Sequence, residues 1–197
     1  MNTKISISLL DNAIDELDCF AMEAYAAGEF IMEDMWIASY EESRSFKQAV
    51  KHLFNAGELL IKYRLQKEDW RFIFERIDEA SEKTLKDGNF RSVRYIDAIK
   101  RLNNIEKKKV KFEEFSNLNK LRNRIEHFEF NIERIELLNI IILAANELLI
   151  FCSEQSCLSN IEVENIRFYQ AIECAKETIE KLDKCRNELE EKKKDRI

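Results

Sequence analysis

The chain contains no proline and only three glycines in 197 residues, and that scarcity constrains its fold more than any other feature. Sandwiches, barrels and disulfide-rich scaffolds reverse direction every few residues and draw on proline and glycine to do so. A chain nearly without them is expected to consist of long helices with few reversals. Its hydrophobic share of 45%, with 13 phenylalanines, exceeds what a disordered chain carries and suffices for one sizeable core. The expectation is an all-α, up-and-down helical bundle forming a single domain over residues 1–197.

A net charge of −6 argues against a nucleic-acid coat protein or a polybasic membrane-surface protein. The charge is uneven: residues 5–43 hold ten acids and no Lys or Arg, which leaves the rest of the chain at +4. An acidic segment of this kind is expected to repel polyanions or to cover a basic face in a resting state. The five cysteines (Cys19, Cys152, Cys157, Cys174, Cys185) form no Cys-x-x-Cys pair and read as free thiols in a reducing compartment. The most apolar run, residues 137–151, is broken by Asn139, Asn146 and Glu147 and is short for a bilayer span. It is expected to be a buried helix, in a soluble cytoplasmic protein without a membrane partner.

Apolar spacing predicts helices over about 8–27, stopped by Gly28, and over about 32–66, where Trp36, Tyr40, Phe46, Val50, Leu53 and Leu60 keep one face. Ala56 and Gly57 inside the second predict close approach to a neighbour. Shorter helices are expected at 68–78 and 91–104, with a turn at Asp87-Gly88-Asn89 between them. A further helix is predicted from Ser116 or Asn117, its stripe being Leu118, Leu121, Ile125 and Phe128. Asn131 is the expected cap of a helix over 132–154, and Ser159 to Glu162 that of a last helix running toward 190 with a frayed tail.

Only two histidines, His52 and His127, are present, with no glycine-rich phosphate loop and no His-Glu-x-x-His pattern. No metal or cofactor is therefore expected. Wheel arithmetic at about 100° per residue turns Asn123 and His127 away from the apolar stripe and leaves Arg122 at its edge. The plainer role open to Arg122 is an ion pair with Glu126, four residues on. His52, on the polar side of its helix, is expected to be structural. Residues 107–124 hold Lys107, Lys108, Lys109, Lys111, Lys120, Arg122 and Arg124 against Glu113 and Glu114, a local +5 suited to an RNA backbone.

The stretch Leu121-Arg122-Asn123-Arg124-Ile125-Glu126-His127-Phe128 resembles the signature of the HEPN superfamily (higher eukaryotes and prokaryotes nucleotide-binding domain): Arg, four to six residues, His, with Asn favoured after the Arg. The upstream helix through Phe54-Asn55-Ala56-Gly57-Glu58 is similar in style to the long helix preceding that motif in the family. The resemblance covers about 32–155, with residues 159–197 as a C-terminal helical extension. It implies metal-independent endoribonuclease activity on single-stranded or looped RNA, leaving 2′,3′-cyclic phosphate ends. His127 would be the acid–base group, Arg122 would stabilise the transition state, and Asn123 would position. It further implies a homodimer with a composite site, a toxin–antitoxin or phage-defence setting, and an antitoxin or other regulatory protein as partner. One departure stands out: where adenylylated members carry a tyrosine two residues after the His, this chain has Glu129. The alternative is a catalytically silent bundle serving as a protein-interaction or nucleotide-binding module.

Overall fold

The computed structural model describes residues 8–33, 38–106, 110, 112–127, 131–154 and 165–195. Among these residues the fold is all-α, with seven α-helices and no strand. They are α1 (Leu9–Glu33), α2 (Ala38–Glu68), α3 (Glu82–Asp87), α4 (Tyr95–Ile105), α5 (Glu113–His127), α6 (Arg134–Glu154) and α7 (Ile166–Lys194). Two 3-10 turns, Trp70–Ile73 and Ile77–Glu79, lie between α2 and α3.

Helices α1, α2, α5, α6 and α7 pack in a closed ring, each touching the next and α7 returning to α1. Partners along each helix fix the directions. Gly57 faces Phe115 and Phe46 shares a cavity with Ile125, so α2 and α5 are antiparallel. Asp15 pairs with Arg167 and Glu29 with Lys181, so α1 and α7 are parallel. A ring of five alternating helices must close with one parallel contact, and here the first and last helices make it. One buried cluster takes side chains from every helix except α3, including Phe20, Phe54, Phe115 and Phe168. The terminal helices thus belong to the same core as those between them.

Several elements differ from the sequence expectation. Helix α1 runs through Gly28 to Glu33; a β-carbon there would sit 3.3 Å from the Lys181 side chain and 3.6 Å from Cys185 Sγ. Gly28 is a contact point for α7, not a stop. The predicted helix at 68–78 is replaced by the two 3-10 turns and a single antiparallel bridge between Phe74 and Ser92. Arg101 of α4 donates to the carbonyls of Phe72, Phe74 and Glu75, which draws these acceptors out of helical pairing. Helix α3, with a Ser81–Thr84 capping box, was not anticipated; it ends at Gly88 (φ 66°), where the turn was expected. Helix α6 starts at Arg134, three residues after the expected cap Asn131. The charged tail stays helical to Lys194 instead of fraying. Residues 34–37, with Trp36, and 155–164, with Cys157 and the expected Ser159 cap, lie outside the described residues.

At 21 residues α6 is long and apolar enough to cross a membrane, but half of its most apolar window is buried against the rest of the protein. Leu138, Ile141, Ala145 and Leu148 are in the core, as expected of a central bundle helix.

Candidate functional site

The candidate motif lies at the C-terminal end of α5, and two contacts fix that helix. The first is close packing on α2, where a β-carbon at Gly57 would collide with the ring of Phe115. Phe115 also stacks on Phe54, with centroids 5.7 Å apart. The second is a cap supplied from another helix. Glu147 of α6 accepts backbone hydrogen bonds from Glu113 (3.0 Å) and Phe115 (2.7 Å). These N–H groups have no partner within α5 itself. The cap moves the start of α5 to Glu113, ahead of the predicted Ser116, whose hydroxyl donates instead to the Phe112 carbonyl at 2.7 Å. Burial pushes the Glu147 carboxyl above its ordinary range, and the backbone N–H groups offset part of that rise.

With α5 so held, Phe115, Leu118 and Leu121 are buried and Ile125 is half-buried, while Asn123 and His127 are exposed, as the wheel predicted. Phe128 lies outside the described residues. Arg122 faces α2: its guanidinium lies 4.8 Å from the centroid of the Phe54 ring, and its Nε donates to Glu126 at 3.2 Å. His127 lies five positions after Arg122, a rotation of about 140° on a helix. One chain therefore places Arg122 in the α2–α5 groove and His127 on the outward face, and does not bring the two together.

Of the seven basic residues singled out in the sequence, Lys107, Lys108, Lys109 and Lys111 lie outside the described residues. Lys120 is exposed, its ammonium 3.2 Å from Asn117 Oδ1. Arg124 lines a cleft of about 510 Å³ between α5 and α6, shared with Glu133 and Glu136. Glu126 and these two acids reduce the local positive charge that the sequence suggested.

Sequence reasoning missed the cations of neighbouring helices. Lys47 and Arg134 line a cavity of about 250 Å³ beside Ile125, and Arg134 makes a two-pronged ion pair with the buried Glu42, both bonds at 2.6 Å. Lys51 is exposed one turn beyond Lys47, on the stripe that carries Phe54. Their spacing in α2 was visible, but not which helix they would face. His52 is structural, as expected: its Nδ1 is 2.6 Å from Glu16 Oε2, joining α2 to α1, and Asn55 donates to the other carboxylate oxygen. Among the described residues no group of three or more His, Cys, Asp or Glu is placed to hold a metal ion, and Cys19, Cys174 and Cys185 are free thiols.

The acidic α1 is a ring member, with Ile14, Leu17 and Phe20 in the core and Glu16, Asp15 and Glu29 paired to α2 and α7. It is thus no detachable cover for a basic face. No protein-family model, curated protein or solved structure matches the chain.

Proposed function

We propose that this protein is a metal-independent endoribonuclease of the HEPN type, acting as a homodimer on single-stranded or looped RNA. The observation that carries the reading is the exposure of Asn123 and His127 together on one face of α5, directly after Arg122 in sequence. A two-fold axis beside this face pairs two such motifs, which supplies the convergence that one chain lacks.

In this reading the RNA's own 2′-oxygen attacks the adjacent phosphorus as the bond to the 5′-oxygen breaks. One His127 takes the proton from the 2′-hydroxyl, and the partner's His127 gives one to the leaving 5′-oxygen. Histidine suits both roles because its ordinary pKa lies near neutrality. Arg122 answers the charge gathering on the phosphate oxygens, and Asn123 orients the phosphate or the imidazole. Phe54 seats the Arg122 guanidinium, whose Nε donates to Glu126. A flexible strand is the substrate because in-line attack requires a backbone that duplex RNA holds rigid. The toxin–antitoxin or phage-defence setting, with a regulatory protein partner, follows from the family resemblance.

A second reading, a silent bundle serving as an interaction or nucleotide-binding module, is favoured by the same engagement of Arg122 with Phe54 and Glu126. Cleavage of a mixed-structure RNA in EDTA separates the two. The nuclease reading requires cyclic phosphate ends with wild type and their loss in His127→Ala of unchanged helicity and oligomeric state. Absence of cleavage by the wild-type dimer selects the module.

A further inference from the structure

We infer that the cleft between α4 and α5 is a subsite for one unpaired nucleotide of a single-stranded RNA, lying on the same face of α5 as Asn123 and His127. The cleft has a volume of about 560 Å³, within the range of small-molecule sites. It forms because α4 and α5 both pack on α2 and leave a gap between them. Its walls are the rings of Tyr95 and Phe112 and the side chains of Ile96 and Ile99. Ile96 is 60% exposed, an apolar surface with no cover among the described residues.

Three features select a nucleotide as occupant. The exposed Ile96 and half-buried Ile99, lying over the buried rings of Tyr95 and Phe112, take the face of a base, while Ser116 Oγ, whose proton goes to the Phe112 carbonyl, is an acceptor for its edge beside Asn117. The rim carries two lysines that can meet a phosphate: Lys120, hydrogen-bonded to the neutral amide oxygen of Asn117, and Lys100, shared with Asp97 at 3.0 Å, while Glu113 adds one opposing carboxylate. Finally, Lys120 and His127 are seven residues apart, a rotation offset of only about 20° and a rise of about 10 Å on an α-helix. A short strand lying along α5 thus reaches from the cleft to His127. The Tyr95 hydroxyl is buried, which pushes its pKa up to about 12. This ring is a neutral wall across the physiological range.

The inference rests on the RNA reading above but is tested by binding, not cleavage. The probe is a short fluorescein-labelled 2′-O-methyl RNA, which cannot cleave itself, followed by anisotropy in EDTA as adenine, cytosine, guanine and uracil homopolymers. Ile96→Glu, at an exposed position, is expected to bind about tenfold or more weakly, as loss of one stacked base implies, and to lose preference among the four bases. Lys120→Gln is expected to weaken binding and flatten its salt dependence. Absence of binding by wild type, or binding by Ile96→Glu indistinguishable from it, overturns the subsite. So does a change in sedimentation on Ile96→Glu with RNA affinity intact, which would mark a self-association surface. If wild type cleaves no RNA yet shows Ile96-dependent binding, the subsite stands and the nuclease reading falls. If Ile96→Glu cleaves with wild-type rate and base preference, the reverse holds.

Discussion

The carboxylate of Glu147, on α6, accepts a 2.7 Å hydrogen bond from the backbone N–H of Phe115, on α5. A side chain distant in sequence thus supplies the cap of the helix that carries the candidate motif. The same carboxylate holds Glu113, so the start of α5 is tied to the helix antiparallel to it.

Glu147→Ala is expected to destabilise the fold by about 1–2 kcal/mol, the usual cost of losing a helix cap whose N–H groups are partly buried. Glu147→Gln, which keeps an acceptor oxygen, should cost less. Urea unfolding of both variants checks the order; equal midpoints for wild type and Glu147→Ala would show that the cap contributes nothing.

The pH dependence of the same site has a defined sign. Burial raises the Glu147 carboxyl in the folded state, so the folded protein binds this proton more tightly than the unfolded chain. Its contribution is full below the unfolded value near 4.5 and is lost as pH rises through the folded pKa. Relative to Glu147→Gln, wild type is therefore expected to lose stability from about pH 4.5 upward. Asp11, lowered by its Ser8 hydrogen bonds, works the other way and loses its contribution as pH falls through its folded pKa below 3.8. Unfolding midpoints measured against pH for wild type, Glu147→Gln and Asp11→Asn separate the two slopes.

The two helical glycines are expected to respond oppositely to alanine. Gly57→Ala drives a methyl group into the Phe115 ring and should cost about 1–3 kcal/mol as overpacking, partly recovered by adding Phe115→Leu. Gly28→Ala meets the flexible Lys181 stem at 3.3 Å, which can shift, and gains up to about 1 kcal/mol of helix propensity. Thermal unfolding should place Gly28→Ala at or above wild type and Gly57→Ala well below it.

Glu42 is 4% exposed and its partner Arg134 about half exposed. Arg134→Ala strands the buried carboxylate and is expected to cost about 2 kcal/mol, discounted from the fully buried case for the solvent around the guanidinium. Removing both charges, as Glu42→Gln with Arg134→Met, should recover most of it. A double-mutant cycle with no coupling would refute the pairing.

Arg122 and Glu126 form an exposed pair, so Glu126→Gln should change stability by only a few tenths of a kcal/mol. Under the nuclease reading it leaves Arg122 free for phosphate and preserves cleavage, whereas Arg122→Ala abolishes cleavage without unfolding the protein. Loss of the fold in Arg122→Ala would assign Arg122 a structural role through its seat on Phe54.

The sequence by itself determined the helical class, because a chain without proline has few ways to turn and its apolar residues recur at the helical period. It also determined the local geometry of the motif: the 3.6-residue repeat alone turns Asn123 and His127 outward and leaves Arg122 at the edge of the core. Tertiary structure decided what local pattern does not encode. A glycine reads the same whether it ends a helix or admits a neighbour, and only the packing of α7 on α1 shows that Gly28 does the second. The 68–78 segment has helical spacing, yet Arg101 from α4 takes its carbonyls. Ser116 and Asn117 read as the caps of α5 in the sequence, yet its cap comes from α6, since a backbone N–H donates to any oxygen that the fold brings within reach. The partner of Arg122 across α2, the cations of α2 and α6 beside the motif, and the cleft between α4 and α5 exist only once helices far apart in sequence are packed, because each is a property of the space between them.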